Sequence, residues 1–262
     1  ISLNNFVPPK KMFNNRYAHR ASASMTMRQA YADLAKKIKK KFNPRSILEI
    51  GSNDGVFIKH FSGIQNIGVE PCKNLADLTT KMKIKTYDKF WTFLLSKKIN
   101  KKHGKFDVIY SANTISHIHK LDETFKAIEN SLNEEGIFIL EDPSLLKSLQ
   151  KLSYDQFYDE HAYVFSITAL RNITKKSGLE IFNIEELNTH GGSNRVYFKK
   201  KTNKKFKISN NVKRHLSTEK KYGIHKFKTY QIFAKNVNKS KESLIKIFQS
   251  IKKKKEENKL DT

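Results

Sequence analysis

Cysteine, arginine and long apolar runs are all scarce in this sequence of 262 residues. A single cysteine, Cys72, excludes an intramolecular disulfide and an all-cysteine metal site, and it predicts a reducing, cytoplasmic setting. No run approaches the roughly 18 consecutive apolar residues that a membrane span needs, and no basic-then-apolar signal opens the chain. The chain begins at Ile1 rather than at a methionine, which we interpret as a fragment or a processed form. Composition thus predicts a soluble protein without a membrane span.

Acidic residues are also in the minority, since 51 Lys and Arg face 25 Asp and Glu, for a net charge of +26. Most of this excess lies near the C-terminus, because residues 199–262 alone carry a net charge of +16. Only seven of the basic residues are arginine, which base readout and bidentate phosphate clamps prefer over lysine. We therefore interpret the charge as solvated lysine-covered faces and expect no nucleic-acid partner. The 18 phenylalanines and 10 tyrosines are enough to fill one core.

Short strand-like runs alternate with helical stretches through most of the chain. An extended arm leads into an amphipathic helix predicted over residues 24–42. The predicted parallel strands are 46–50, 66–70, 83–87, 106–110 and 136–141, with intervening helices at 56–62, 74–81, 90–96 and 122–132. After a helix capped by Ser166, strands 179–187 and 195–199 flank a glycine turn that permits antiparallel pairing.

This order predicts an α/β, Rossmann-like fold with a mostly parallel seven-stranded sheet, as in class I S-adenosylmethionine (SAM)-dependent methyltransferases, plus a helical C-terminal extension. We divide the chain into three parts. Residues 1–45 form an N-terminal arm and helix that contribute to the active site, and residues 46–200 form the SAM-binding domain. Residues 201–262 form a basic linker and a helix over about 225–255.

The strongest local signal is a buried strand that runs into the turn Gly51-Ser52-Asn53-Asp54-Gly55. Nineteen residues after Gly51, the next strand ends at Glu70-Pro71, where a carboxylate can accept both hydroxyls of a ribose. A dinucleotide fingerprint needs a third glycine, whereas this loop carries an acid, Asp54, which repels phosphate and suits the cationic, phosphate-free SAM. The residues therefore favour SAM over NAD, and a plain strand-turn-helix connection is the structural alternative.

Two further positions lie at the same predicted sheet edge. Asn113 and Thr114 follow the fourth strand, and we expect them to face the methionine part of SAM. Asp88 or Tyr87, after the third strand, is predicted to border the adenine.

Several blocks of sequence in a fixed order carry a family resemblance. They are residues 17–24, the 49–55 loop with 68–71, Asn-Thr-Ile-Ser-His-Ile at 113–118, Glu-Asp-Pro at 141–143 followed by Tyr-Asp-Glu-His at 158–161, and Thr-His-Gly-Gly at 189–192. Together they resemble the SAM-dependent C-methyltransferases that act on nucleotide-linked keto-deoxysugars, especially those that methylate C3 of a TDP-4-keto sugar. The resemblance spans about residues 17–197.

A carbon next to a ketone becomes nucleophilic only when its proton is removed, so C-methylation requires a base and stabilisation of the enolate. The resemblance implies that His161 is this base, that the resulting carbanion displaces the SAM methyl group in line, and that Tyr158, Glu160 and Tyr17 line the sugar site. It further implies a TDP-linked nucleotide sugar as substrate and a role in deoxysugar biosynthesis.

Four other residues are predicted to contact substrate: His117, His190, Gly191 and Gly192. For His117 and His190, a buried and satisfied histidine is an equally good interpretation.

Such enzymes carry a cysteine-rich zinc domain before the central domain and an α/β domain after it, and the sequence contains neither. We therefore expect no metal, and either a fragment or a reduced homologue. The alternatives are a SAM-dependent methyltransferase of another small molecule or of RNA, and a non-catalytic fragment lacking its zinc and nucleotide domains. RNA is disfavoured because residues 111–114 are not the Asp/Asn-Pro-Pro-aromatic motif common among enzymes that methylate amino groups of bases.

Overall fold

A seven-stranded sheet forms the centre of the molecule in the computed structural model, which describes residues 1–260 apart from the side chains of His190 and residues 256–260. The strands are β1 Ser46–Ile50, β2 Gln65–Val69, β3 Lys85–Tyr87, β4 Phe106–Ala112, β5 Leu132–Pro143, β6 Leu179–Leu187 and β7 Ser193–Lys200. Their spatial order is β3-β2-β1-β4-β5-β7-β6, in which β1 to β5 are parallel and β7 is antiparallel to both neighbours. The predicted class I methyltransferase fold is confirmed.

Helices cover both faces of this sheet. They are α1 Pro9–Met12, α2 Met25–Phe42, α3 Lys73–Lys81, α4 Phe93–His103, α5 Leu121–Ser131, α6 Leu145–Lys151, α7 Ile167–Lys176, α8 Asn210–Tyr222 and α9 Phe227–Leu260. All five residues of β1 are buried, as expected for a central parallel strand with a helix layer on each side. One core lies between the sheet and α4, α5 and α7, and the second lies under α2.

Sequence signals placed the helix starts well. The Ser24 hydroxyl accepts a hydrogen bond from the Met27 amide and caps α2, and the Ser166 hydroxyl likewise caps α7 by accepting from the Ala169 amide. Each cap satisfies one of the amides that the first helical turn leaves without a partner.

Two predicted elements were wrong, and the helix predicted over 90–96 is instead α4, Phe93–His103, which starts later and is longer. The helix predicted over 56–62 is only a short 3-10 turn, Ile58–Phe61, because its apolar side chains are all buried rather than gathered on one helical stripe. The predicted linker after residue 200 contains α8, whose inward face includes the polar residues His215 and Glu219. A polar inward face produces no apolar period, so the sequence pattern did not show this helix.

The N-terminal arm, residues 1–24, lies across the carboxyl ends of the parallel strands. Its first residues pair with the segment after α6, since the Leu3 amide donates to the Ala162 carbonyl over 3.0 Å. Its last residues reach the β1 loop, where the Ala21 amide donates to Asn53 Oδ1 over 2.9 Å. The arm therefore covers the sheet edge at which open α/β folds bind ligands. Within residues 1–260, no helix is long and apolar enough to cross a membrane.

Candidate active site

A cavity of about 640 Å³ lies between the N-terminal arm and the carboxyl ends of β1, β2 and β4. Its size falls within the range of about 300–1,000 Å³ that is usual for small-molecule sites. The predicted site residues that line it are Tyr17, Gly51, Ser52, Asn53, Glu70, Pro71, Asn113, Thr114 and His117. The structure thus brings together most of the residues predicted to contact the cofactor.

Gly51 allows the β1 loop to pack against the β4 loop. Its φ is +75°, and a Cβ atom at this position would come within 2.0 Å of Thr114 Oγ1. Only glycine tolerates both the left-handed backbone and the close approach. The amides of Gly51 and Ser52 both donate to the Val69 carbonyl, which fixes the β1 loop beside the end of β2.

Asp54 and Gly55, by contrast, do not line the cavity. The Asp54 carboxylate accepts from the Ser22 amide over 3.3 Å and so holds the arm. A Cβ atom at Gly55 would come within 2.7 Å of Thr79 Cγ2, which shows that this glycine permits close packing on α3. Both residues support the loop from the side away from the cavity. They therefore do not occupy the position at the cavity that was predicted for direct contact with SAM.

Glu70 is buried at the cavity wall, and its two carboxylate oxygens hold the surrounding backbone. Oε2 accepts from the Asn53 amide over 2.8 Å, and Oε1 accepts from the Cys72 amide over 2.9 Å. Burial raises the pKa of Glu70, although these two amide hydrogen bonds oppose the rise. Each oxygen retains a lone pair for a further donor, which two adjacent ligand hydroxyls can supply.

Glu49 is a cavity residue that the sequence analysis did not single out. It is fully buried in β1, it lines the cavity, and its Oε2 atom has no hydrogen-bond partner. Burial raises the pKa of Glu49 well above its usual range. The available signal was a charged residue inside an otherwise apolar strand, Ile47-Leu48-Glu49-Ile50. Together with the unpartnered Ser52 hydroxyl, Glu49 provides buried polar atoms that suit a ligand able to complete their hydrogen bonds, as SAM can.

The residues predicted to border the adenine, Asp88 or Tyr87, do not line the cavity. Asp88 is exposed and does not line the cavity, and the Tyr87 hydroxyl contacts His103 Nε2 at 2.9 Å. The lining residues in this loop are instead Phe90, Trp91 and Thr92. An aromatic pair just after the third strand was the signal that could have indicated them.

Four aromatic rings form a column that leads from the cavity, past the buried His161, to the exposed ring of Tyr158: Phe13, His117, His161 and Tyr158. Successive ring centroids are separated by 5.3, 5.2 and 4.3 Å. Phe13 and His117 line the cavity, whereas His161, with 5% of its surface exposed, lies behind His117. We name this set the ring column. It connects His161 to the cavity through His117, so His161 does not itself form the cavity wall.

The hydrogen bonds of His161 define which nitrogen carries its proton. Nδ1 lies 2.8 Å from the Gln156 carbonyl oxygen, which can only accept, so Nδ1 is the protonated nitrogen. Nε2 then has a free lone pair and accepts from the Tyr158 hydroxyl over 3.2 Å. Burial lowers the pKa of His161, so the imidazole is neutral at pH 7 and Nε2 is a potential base.

Tyr17 and Glu160, the other residues predicted to line the sugar site, form a hydrogen bond with each other. The Tyr17 hydroxyl donates to Glu160 Oε2 over 3.0 Å and joins the arm to the segment that carries His161.

Burial, followed by the proximity of His161, lowers the pKa of His117 to about 3. Nε2 of His117 is buried and has no partner, so of the two interpretations of His117 the fully satisfied core histidine does not describe this atom.

The glycine turn at 189–192 lies away from the cavity. The Gly191 carbonyl accepts from Lys151 Nζ over 2.7 Å, and the Gly192 carbonyl accepts from the Ser144 amide over 3.0 Å. Both contacts are at the ends of α6, and neither Gly191 nor Gly192 lines the cavity. The side chain of His190 lies outside the described residues. Among the residues that the structure describes, no group of three or more His, Cys, Asp or Glu could hold a metal ion.

Comparison with protein families gives two matches along the chain. Residues 17–184 match the family model of a methyltransferase domain, and residues 188–258 match that of a C-methyltransferase C-terminal domain. Among curated proteins, the C-methyltransferase NovU of Streptomyces niveus is 27% identical over 190 residues, which are 72% of this chain and 45% of that protein. The matched part therefore spans about half the length of this curated relative.

Solved structures with the same fold include a SAM-dependent methyltransferase from Anabaena variabilis, with a TM-score of 0.54 and 15% identity, covering 71% of this chain and 89% of that one. The CcbJ methyltransferase from Streptomyces caelestis has a TM-score of 0.51 and 13% identity, covering 65% and 89%. At these identities the likeness concerns the fold.

Proposed function

The chain belongs to the SAM-dependent methyltransferase family, and from this premise we propose that it is a C-methyltransferase that acts on a carbon next to the ketone of a nucleotide-linked deoxysugar, with TDP as the nucleotide. The match of residues 188–258 to a C-methyltransferase domain and the similarity to NovU support transfer to carbon. The buried single cysteine supports a reducing, cytoplasmic setting.

The cavity residues fit SAM. Glu70 would accept the ribose hydroxyls, the backbone of Gly51 and Ser52 would lie against the cofactor, and Asn113 with Thr114 would border its methionine part. When bound, SAM supplies an electrophilic methyl group on a positively charged sulfur. Phe90 and Trp91 would border the adenine in place of Asp88.

The ring column is the observation that carries the proposal of carbon as the acceptor. A neutral imidazole with a fixed tautomer suits the removal of a proton from a carbon next to a ketone. In this mechanism the reacting carbon lies at the exposed end of the ring column, beside Tyr158, rather than behind His117. There His161 Nε2 takes the proton, the electron pair of the broken C–H bond forms the enolate, and the enolate carbon would then take the methyl group in line. Tyr158 is 45% exposed, so its hydroxyl can leave Nε2 and donate to the ketone oxygen, on which negative charge develops. Tyr17 and Glu160, joined by their hydrogen bond, would line the sugar site on the side of the N-terminal arm.

Proton removal can be measured separately from methyl transfer. We expect the protein to exchange the hydrogen next to the ketone of a TDP-4-keto-deoxysugar for deuterium in D₂O, followed by NMR without SAM. His161→Ala should slow this exchange by about 100-fold or more, the usual contribution of a general base. SAM affinity, measured by calorimetry, should remain unchanged.

The pH dependence follows from the lowered pKa of His161. Nε2 is free above that pKa, so the exchange rate should be level at pH 7 and should fall only as the pH drops below 6.5. His103→Ala is the matched control, because His103 contacts Tyr87 away from the cavity and should leave the exchange unchanged. Unchanged exchange in His161→Ala would contradict the assignment of the base, and loss of SAM binding in that variant alone would contradict the separation of the two roles.

A further inference from the structure

The segment that carries His161 has little regular structure of its own. Between α6 and α7 it contains one 3-10 turn, Tyr154–Gln156, and a turn in which the His161 amide donates to the Tyr158 carbonyl. Its backbone position therefore depends on the elements that pack against it. On one side the N-terminal arm is paired with Ala162 and Val164. On the other side lie α8 and α9.

An apolar cluster joins this segment to α9. Phe157 and Val164, which bracket His161, pack with Leu145 and Leu149 of α6 and with Tyr230 and Phe233 of α9. The Phe157 and Phe233 ring centroids are 5.8 Å apart at an interplanar angle of 62°, an edge-to-face arrangement. Since Phe157 precedes Tyr158 and follows Gln156, the residue whose carbonyl fixes the His161 tautomer, movement of the Phe157 ring would displace both partners of the imidazole.

A second contact comes from α8 and acts on the end of the segment. The buried Glu219 carboxylate accepts from the Ile167 amide over 2.7 Å, from the Thr168 amide over 2.8 Å and from the Thr168 hydroxyl over 2.6 Å. These amides belong to the first turn of α7, where the helix leaves donors unsatisfied and where a negative charge is favourable. Glu219 therefore holds the start of α7 from a different helix, six to seven residues after His161.

We infer that Glu219 and Phe233 are positioning residues that hold the imidazole of His161 in the ring column, so that α8 and α9 complete the active site from outside the sheet domain. The expected effect on proton removal rests on the proposed function. The position of the His161 imidazole does not, because it can be measured without a substrate. Both residues lie within the part of the chain that matches the C-methyltransferase C-terminal domain.

The test compares Phe233→Ala with Phe227→Ala in the full chain. Both remove a phenylalanine from α9, but Phe227 is 75% exposed and is therefore the matched control. We expect Phe233→Ala to lower the deuterium exchange rate about 10-fold, because small displacements of a catalytic group are costly, while the SAM dissociation constant stays within about twofold. Phe233→Leu should restore most of the rate, and Phe227→Ala should change neither quantity.

NMR spectra of the histidine imidazoles give a second measurement that needs no substrate. The His161 signal is assigned as the one that is absent in His161→Ala. The His161 signal should move in Phe233→Ala and, because a second helix is involved, also in Glu219→Gln, but not in Phe227→Ala. A His161 signal unchanged in both variants, or a SAM affinity that falls in step with the exchange rate, would overturn the inference. A shifted signal in a protein that exchanges no keto sugar would leave the positioning role intact and contradict the proposed function.

Discussion

Glu70 combines a structural task with a position at the cavity wall, where we propose that it binds the ribose. Its oxygens accept the Asn53 and Cys72 amides, and through them they hold the β1 loop and the start of α3. The same carboxylate lines the cavity. A buried carboxylate that already accepts two amides is rigid, so a ribose that binds it pays little additional ordering cost.

We expect Glu70→Ala to weaken SAM binding by about 10- to 100-fold, because buried amides lose their acceptor and the ribose loses its partner. Asp88→Ala is the matched control, since Asp88 is an acid at the end of the next strand but does not line the cavity. Calorimetric titration with SAM measures both variants. Equal effects of the two substitutions would show that the ribose lies nearer β3 than proposed.

At the scale of elements, the β1 loop and the N-terminal arm form one unit around the cavity. Asn53 connects them, because its Oδ1 accepts from the Ala21 amide and its Nδ2 donates to the His19 carbonyl. Asp54 adds the contact with Ser22. The β1 loop, which was predicted to bind SAM, therefore also holds the N-terminal arm in place over the cavity.

The packing of this loop against the β4 loop predicts unequal costs for two glycine substitutions. Gly51→Ala must relieve both a positive φ and a contact with Thr114, whereas Gly63→Ala meets a positive φ of +92° but open space. We expect losses in unfolding free energy of about 3 kcal/mol for Gly51→Ala and about 1 kcal/mol for Gly63→Ala. Urea unfolding of both variants measures this difference. If Gly51→Ala lost no more unfolding free energy than Gly63→Ala, the β1 and β4 loops could move apart without destabilising the protein.

For the whole molecule, the net charge of +26 is the dominant electrostatic property. Individual ion pairs such as Lys37 with Glu185 and Lys147 with Glu186 are exposed or half-exposed, and such pairs contribute little. Mutual repulsion among the remaining lysines should therefore outweigh the attraction in these pairs.

Salt should consequently stabilise the protein. Between about 20 mM and about 500 mM NaCl the Debye length falls from roughly 20 Å to roughly 4 Å, so repulsion across the surface is screened. We expect the melting temperature to rise by a few degrees, which corresponds to about 1–2 kcal/mol for a chain of this size. Calorimetric scans in salt, compared with scans in sucrose at equal osmolality, measure the effect. A melting temperature that falls with NaCl would show that attractive ion pairs dominate.

The sequence alone determined the fold and the place of the cofactor loop. Apolar runs, caps and glycine turns are local, and their order is enough to predict five parallel strands closed by an antiparallel pair. The β1 turn and Glu70 follow from the same local patterns, which is why both lie at the cavity as predicted.

The tertiary structure decided which side chains line the cavity. Glu49 and Trp91 line the cavity, whereas Asp54 and Gly191 face other parts of the chain. These outcomes depend on contacts between residues far apart in sequence, such as the arm across the sheet edge. Likewise α8 escaped prediction because its inward face includes Glu219, a charged residue whose burial makes sense only once the start of α7 lies beside it.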